Sequence, residues 1–132
     1  MQIELRVVSN FGRLISARLE RHQHLCWRYK LWDDDRYVGD LLFEPLENGV
    51  VEFRDIKIQV EYRGAGISTA LFFAVRAMWK EKGFRSIKGS VVTRDIAFKE
   101  RVVSWYQRAG AVLIRKEDPS NPSLAGRFTL IL

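Results

Sequence analysis

The apolar positions along the chain change period several times, and those changes divide it into elements. Residues 2–8 (QIELRVV) partly alternate apolar with polar and predict a first strand. Ser9 and Asn10 then stand where a helix cap would, ahead of Leu14, Ile15, Arg18 and Leu19 at i, i+1, i+4 and i+5, so a helix is expected through about His22. Residues 25–32 (LCWRYKLW) and 36–43 (RYVGDLLF) read as strands joined by the turn-forming run Asp33-Asp34-Asp35. The ENG turn at 47–49 leads into residues 50–60 (VVEFRDIKIQV), where alternation would put Glu52, Arg54, Ile56, Ile58 and Val60 on one side and Asp55 on the other. Short links make these three strands an antiparallel meander. After Gly64 and Gly66 the period lengthens: Ala70, Leu71, Ala74, Val75 and Met78 form a helical stripe over 67–82, ended by Gly83. Residues 86–92 predict a strand, 96–108 a helix stopped at Gly110, and 111–115 and 127–132 two closing strands around a Pro-containing loop.

The order β-α-β-β-β-α-β-α-β-β implies an α+β (mixed α/β) fold, and 132 residues suffice for one domain, 1–132, with no internal repeat or linker. A 47% hydrophobic content supplies a core, which excludes disorder as a description of the whole. No apolar run is long enough to span a bilayer and no secretory signal is evident, so a cytoplasmic protein without membrane attachment is expected. Cys26 is the only cysteine, so there is neither an internal disulfide nor a cysteine metal cluster. The formal net charge is +6, concentrated as +4 over residues 1–31 and +6 over 84–116, and a positive surface tolerates or prefers an anionic partner.

The segment Tyr62-Arg63-Gly64-Ala65-Gly66-Ile67-Ser68-Thr69 lies between an apolar strand and a long helix. Two glycines let successive N–H groups converge, and the helix start adds unpaired N–H groups and the positive dipole end. Such a turn suits a phosphate or pyrophosphate, although it equally describes an ordinary Gly-rich strand-to-helix connection. It is not a P-loop, since no Gly-Lys-Ser/Thr follows, and it lacks the third glycine of a dinucleotide fingerprint.

These residues resemble the GNAT superfamily of N-acetyltransferases, whose acyl-CoA signature Arg/Gln-x-x-Gly-x-Gly/Ala is matched from Arg63 to Ser68, with Ser68 in the last small position. Tyr106 to Gly110 resembles the family's Tyr-x-x-x-Gly ending, and the element order over about 25–132 matches. The resemblance implies a GNAT-like fold: a central, mostly antiparallel mixed sheet flanked by helices, with a shortened N-terminal helical region. It implies transfer of an acetyl group from acetyl-CoA to a primary amine by direct attack in a ternary complex, with no metal. Tyr106 matches the general acid. Glu52, eleven residues before Arg63, stands where several members carry a base, although an ion pair with a neighbouring arginine is an equal reading. Backbone at Ile58 and Val60 would meet the pantetheine arm. Arg63, Gly64, Ala65, Gly66, Ile67, Ser68 and Thr69 would hold the pyrophosphate, and Lys99 replaces an Asn that many members use for CoA. The acceptor stays open between a small amine, a protein amine and an aminoacyl group on RNA.

Two other readings stand beside this one: a relative that binds acyl-CoA without catalysis, and a basic nucleic-acid-binding module. The strand at 127–132 offers an edge that could pair two subunits in a homodimer. His22 and His24 lack a third ligand, and Asp33 to Asp35 lack the spaced oxygens of a calcium loop, so the acidic run reads as a turn.

Overall fold

The computed structural model describes residues 4–21, 25–92, 99–115, 120 and 124–132. Eight strands and two helices follow one another: β1 (Glu4–Val8), β2 (Leu14–Arg21), β3 (Trp27–Asp33), β4 (Arg36–Pro45), β5 (Val50–Ile58), α1 (Ile67–Glu81), β6 (Ser86–Val92), α2 (Lys99–Arg108), β7 (Val112–Arg115) and β8 (Leu124–Ile131). One sheet contains all the strands, in the order β1-β2-β3-β4-β5-β6-β8-β7. Every neighbouring pair is antiparallel except β5 with β6.

The expected N-terminal helix is a strand. Ile15 and Ala17 are fully buried while Leu14 and Arg18 are exposed, a period of two that competes in the sequence with the period of a helix. The tie is broken by β1, which pairs Val7 with Ile15 and Leu5 with Ala17 across a tight turn at Gly12, φ +77°. Ser9 caps that turn rather than a helix, its Oγ accepting the Arg13 N–H at 3.1 Å. The strand at the C-terminus is also not an edge. β8 is inserted between β6 and β7, so its backbone is paired on both sides over residues 126–129.

Helix α1 places Ile67, Leu71, Phe72, Val75, Met78 and Trp79 on one stripe, all buried. Phe72 meets Phe53 of β5 at 5.8 Å between ring centroids, and Trp79 meets Phe43 of β4 at 5.1 Å. Each such side chain contributes about 2 kcal/mol by leaving water. Helix α2 lies against the same face: Trp105 packs on Phe72 at 5.1 Å, Tyr106 on Phe128 at 4.5 Å, and Arg76 donates to the Ala109 carbonyl at 2.9 Å. The opposite face carries charged side chains in pairs, such as Arg28 with Glu20 at 2.6 Å.

Two irregularities in β5 shape the functional region. Its register with β4 runs Phe43↔Phe53 and then Leu42↔Asp55, which leaves Arg54 as a bulged extra residue. The bulge reverses the alternation. Glu52 and Asp55 oppose Glu44 and Leu42, even-numbered residues of β4 that share one face, whereas Ile56 and Ile58 oppose Leu41 and Gly39 on the other. The expected single row Glu52, Arg54, Ile56, Ile58, with Asp55 opposite, is therefore broken at Arg54. Second, β5 pairs with β6 only from Val50↔Ser86 to Phe53↔Gly89. Beyond that point β5 follows β4 and β6 follows β8, so the parallel strands part.

Candidate functional site

The parting strands open a cleft of about 990 Å³. Its walls are Phe53 to Ile56 of β5, Ser90 of β6, and Glu100, Arg101, Ser104, Trp105, Tyr106 and Arg108 of α2, with Arg63 and Ser68 at the end where α1 begins. Four arginines against Asp55 and Glu100 make this a positive cleft.

At the α1 end, the chain leaves β5 at Ile58 and makes a short 3-10 turn, Val60–Tyr62, so Val60 lies beyond the strand expected to contain it and its side chain is exposed. Gly64 and Gly66 both adopt positive φ, +78° and +74°, which bends the backbone into the helix start. Gly66 is the residue before the first helical turn, and no side chain caps it. The Ile67, Ser68 and Thr69 amides thus lack intrahelical acceptors and present the positive dipole end. Ala65 and Ile67 are buried anchors, at 7% and 2% exposure, and offer only backbone to a ligand. Arg63 donates from Nε to the Ile58 carbonyl at 2.9 Å, which folds its guanidinium over the strand end. Thr69 accepts a hydrogen bond from Trp105 Nε1 at 2.8 Å and so ties α1 to α2.

Tyr106 lies on the buried side of α2, its ring among Phe53, Phe72, Trp105 and Phe128, and it also lines the cleft. Burial raises its phenol well above the usual tyrosine range, and the negative charge of Asp55 adds to the shift. At neutral pH it is a protonated donor. Of the carboxylates, Asp55 of β5 and Glu100 of α2 line the cleft. Glu52 is half-buried and ion-paired at 3.3 Å with Arg54, which also donates to Glu44 at 2.5 Å. Lys99 opens α2. His22 and His24 lie outside the described residues.

Sequence reasoning missed two contributors at the loop. Asn10, from the β1–β2 turn, donates its N–H to the Ala65 carbonyl at 2.7 Å, and its side chain fills the space that a Cβ on Gly66 would enter. Tyr62 donates to Asp33 Oδ2 at 2.9 Å. Neither contact has a local sequence signal, because each joins elements far apart in the chain.

No protein-family model matches the sequence, and no curated protein matches it. Solved structures do. The GNAT domain of S. lividans PAT superposes with a TM-score of 0.73 at 13% identity, over 98% of this chain and 97% of that one. The chain has the GNAT fold. A GNAT family acetyltransferase from Elizabethkingia anophelis, with acetyl-CoA bound, gives 0.71 at 13% identity over 89% of this chain and 98% of that one. A Bacillus subtilis acetyltransferase in complex with CoA gives 0.67 at 14% identity, over 88% and 97%. In this GNAT fold the β1–β2 hairpin, not a helix, precedes β3 among the described residues.

Proposed function

We propose that this protein is an acyl-CoA-dependent N-acyltransferase that transfers the acetyl group of acetyl-CoA to a primary amine. The observation that carries the reading is the alignment of three features along one cleft. Unpaired loop and helix amides lie at one end, a length of β5 unpaired toward β6 forms the wall, and a buried tyrosine lines the interior. The order suits a pyrophosphate, an amide-bearing pantetheine arm and a thioester.

Diphosphate oxygens would accept from the Gly64 to Thr69 amides, with the Ser68 hydroxyl and the Arg63, Arg101 and Arg108 guanidinium groups adding charge. Lys99, at the start of α2, is on the same end of that helix as Arg101. The arm would pair with β5 near Ile58 as an added strand, with Val60 at the exit toward the loop.

The acceptor nitrogen attacks the thioester carbonyl as the neutral amine, and the tetrahedral intermediate collapses by breaking the C–S bond. Tyr106 gives its proton to the departing sulfur. Its burial does not disable the donation, because a thiolate in the same dry surroundings is also poorly solvated and therefore more basic. The proton lost by the amine goes to a carboxylate directly or through water. Asp55 in the cleft wall and Glu52 across the Arg54 bulge are the two that share the face. Within this reading Glu52 serves as base only after exchanging its ion pair with Arg54.

The test is release of free CoA thiol from acetyl-CoA with small amines, lysine peptides and aminoacyl-tRNA as acceptors. Amine-dependent release that falls about a hundredfold or more in Tyr106→Phe, with CoA affinity kept, supports the mechanism. CoA binding without turnover on any acceptor would favour a non-catalytic ligand-binding role. Steeply salt-dependent RNA binding that is indifferent to CoA would favour the nucleic-acid reading.

A further inference from the structure

The run Asp33-Asp34-Asp35 reads in the sequence as a turn, and Asp34 does make that turn at φ +52°. Asp33 does something else. It is 4% exposed, the one buried carboxylate among the described residues. Burial of a charge is costly unless it is paired and hydrogen-bonded, so its partners indicate what the position is for. Arg13 donates to Oδ1 from Nε at 2.9 Å and from Nη2 at 2.8 Å, and the Tyr62 hydroxyl donates to Oδ2 at 2.9 Å. Arg36 lies over the Tyr62 ring at 5.8 Å. These donors hold the Asp33 carboxyl below the usual carboxylate range, so it is charged at neutral pH.

Each partner belongs to a different segment. Arg13 ends the β1–β2 turn, Asp33 ends β3, and Tyr62 is the last residue of the 3-10 turn that delivers Arg63 and Gly64. The same β1–β2 turn reaches the far side of the loop through Asn10, whose backbone N–H donates to Ala65 O at 2.7 Å and whose side-chain amide packs against Gly66. The stretch 62–66 is therefore held at one end by Asp33, itself tied to Arg13 of the β1–β2 turn, and at the other by Asn10 of the same turn. Between the two grips sits Gly64, whose missing side chain leaves the backbone free to move without them.

We propose that Asp33 and Asn10 are positioning residues for ligand binding: through Tyr62, Ala65 and Gly66 they hold the Gly64–Gly66 loop with its amides converged on a diphosphate. The proposal rests on the acyl-CoA reading for its ligand and on the hydrogen bonds alone for the clamp. Asp33 touches neither the cleft nor the reacting atoms. Its influence is carried entirely by the loop, so binding should weaken while the chemistry of bound substrate does not.

The experiment compares wild type with Asp33→Asn, Tyr62→Phe and Asn10→Ala, the last removing the side-chain packing on Gly66 while keeping the backbone bond to Ala65. It measures CoA affinity by calorimetry, kcat and KM for acetyl-CoA, and amide hydrogen exchange across residues 62–69. Tyr62→Phe removes one hydroxyl and keeps the ring, so it tests the clamp even if Asp33→Asn folds poorly. Losing a charge-assisted hydrogen bond predicts CoA binding weakened about tenfold in Tyr62→Phe, with kcat at saturating acetyl-CoA within about twofold of wild type. Exchange at residues 64–67 should quicken, while the core of α1 stays protected. A folded variant with unchanged CoA affinity and unchanged loop exchange overturns the proposal, as does a fall in kcat with affinity intact. If wild type itself binds no CoA, the acyl-CoA reading fails and the ligand part of this proposal fails with it. Loop exchange then still decides the clamp: faster in Tyr62→Phe upholds it, and unchanged refutes it.

Discussion

Tyr106 shows how one position can serve core and chemistry together. Its ring is a packing element among Phe53, Phe72, Trp105 and Phe128, and its hydroxyl belongs to a residue that lines the cleft. Tyr106→Phe should therefore keep the fold and lose the proton donor, with a thermal midpoint near wild type and a collapsed kcat. Equal loss of both would make the residue structural. Trp79 is a different case. It is fully buried, and its indole N–H has no hydrogen-bond partner among the described residues. Trp79→Phe relieves an unmade hydrogen bond worth about 1–3 kcal/mol and opens a cavity costing a similar amount. Its net effect on urea unfolding should be well below that of Phe72→Ala, which has no such compensation. A Trp79→Phe loss as large as that of Phe72→Ala would show that the indole makes a bond in solution. Asp33 adds a pH dependence. Its folded pKa is lowered, so it contributes stability above its unfolded value, near about 4, and that contribution disappears as pH falls through the folded value. The acid side of a stability-against-pH curve should be shallower in Asp33→Asn. An unchanged acid limb would mean that Arg13, Tyr62 and Arg36 do not hold the carboxylate.

At the level of elements, the strand-to-helix switch at Gly64 and Gly66 was legible in the sequence because two glycines interrupt one period and a longer one begins. The boundaries of α1 and β6 were legible for the same reason. β2 was misread because Leu14, Ile15 and Leu19 satisfy a helix face while Ile15, Ala17 and Leu19 satisfy a strand face. Only the partner β1 decides between them. The Arg54 bulge left no trace either, since bulging is a property of pairing between β4 and β5. It moved Asp55 to the same face as Glu52. The parting of β5 from β6 is guarded by Gly89, where a Cβ would stand 2.7 Å from the Phe53 carbonyl oxygen and 2.8 Å from the Phe128 ring. Gly89→Ala must push β5 or Phe128 aside. It should destabilise by about 1–3 kcal/mol in chemical unfolding and distort the cleft, whereas a neutral result would show that the strands part without this contact.

For the whole molecule, the excess positive charge found in the sequence has a structural address. Arg101 and Arg108 on α2 line one cleft together with Arg54 and Arg63. The other sheet face is laced with ion pairs of both signs, which argues against a continuous basic strip for a nucleic-acid backbone. An acceptor was never legible, because the residues that line the cleft come from β5, β6, α1 and α2, and only tertiary pairing shapes that cleft and its mouth.

The most direct test of the central claim is a calorimetric titration of the protein with CoA at two salt concentrations. The account predicts saturable one-to-one binding in the micromolar range that weakens modestly with salt and is lost when Arg101 and Arg108 are both replaced by Glu. Absence of binding by wild type at either salt concentration would contradict it.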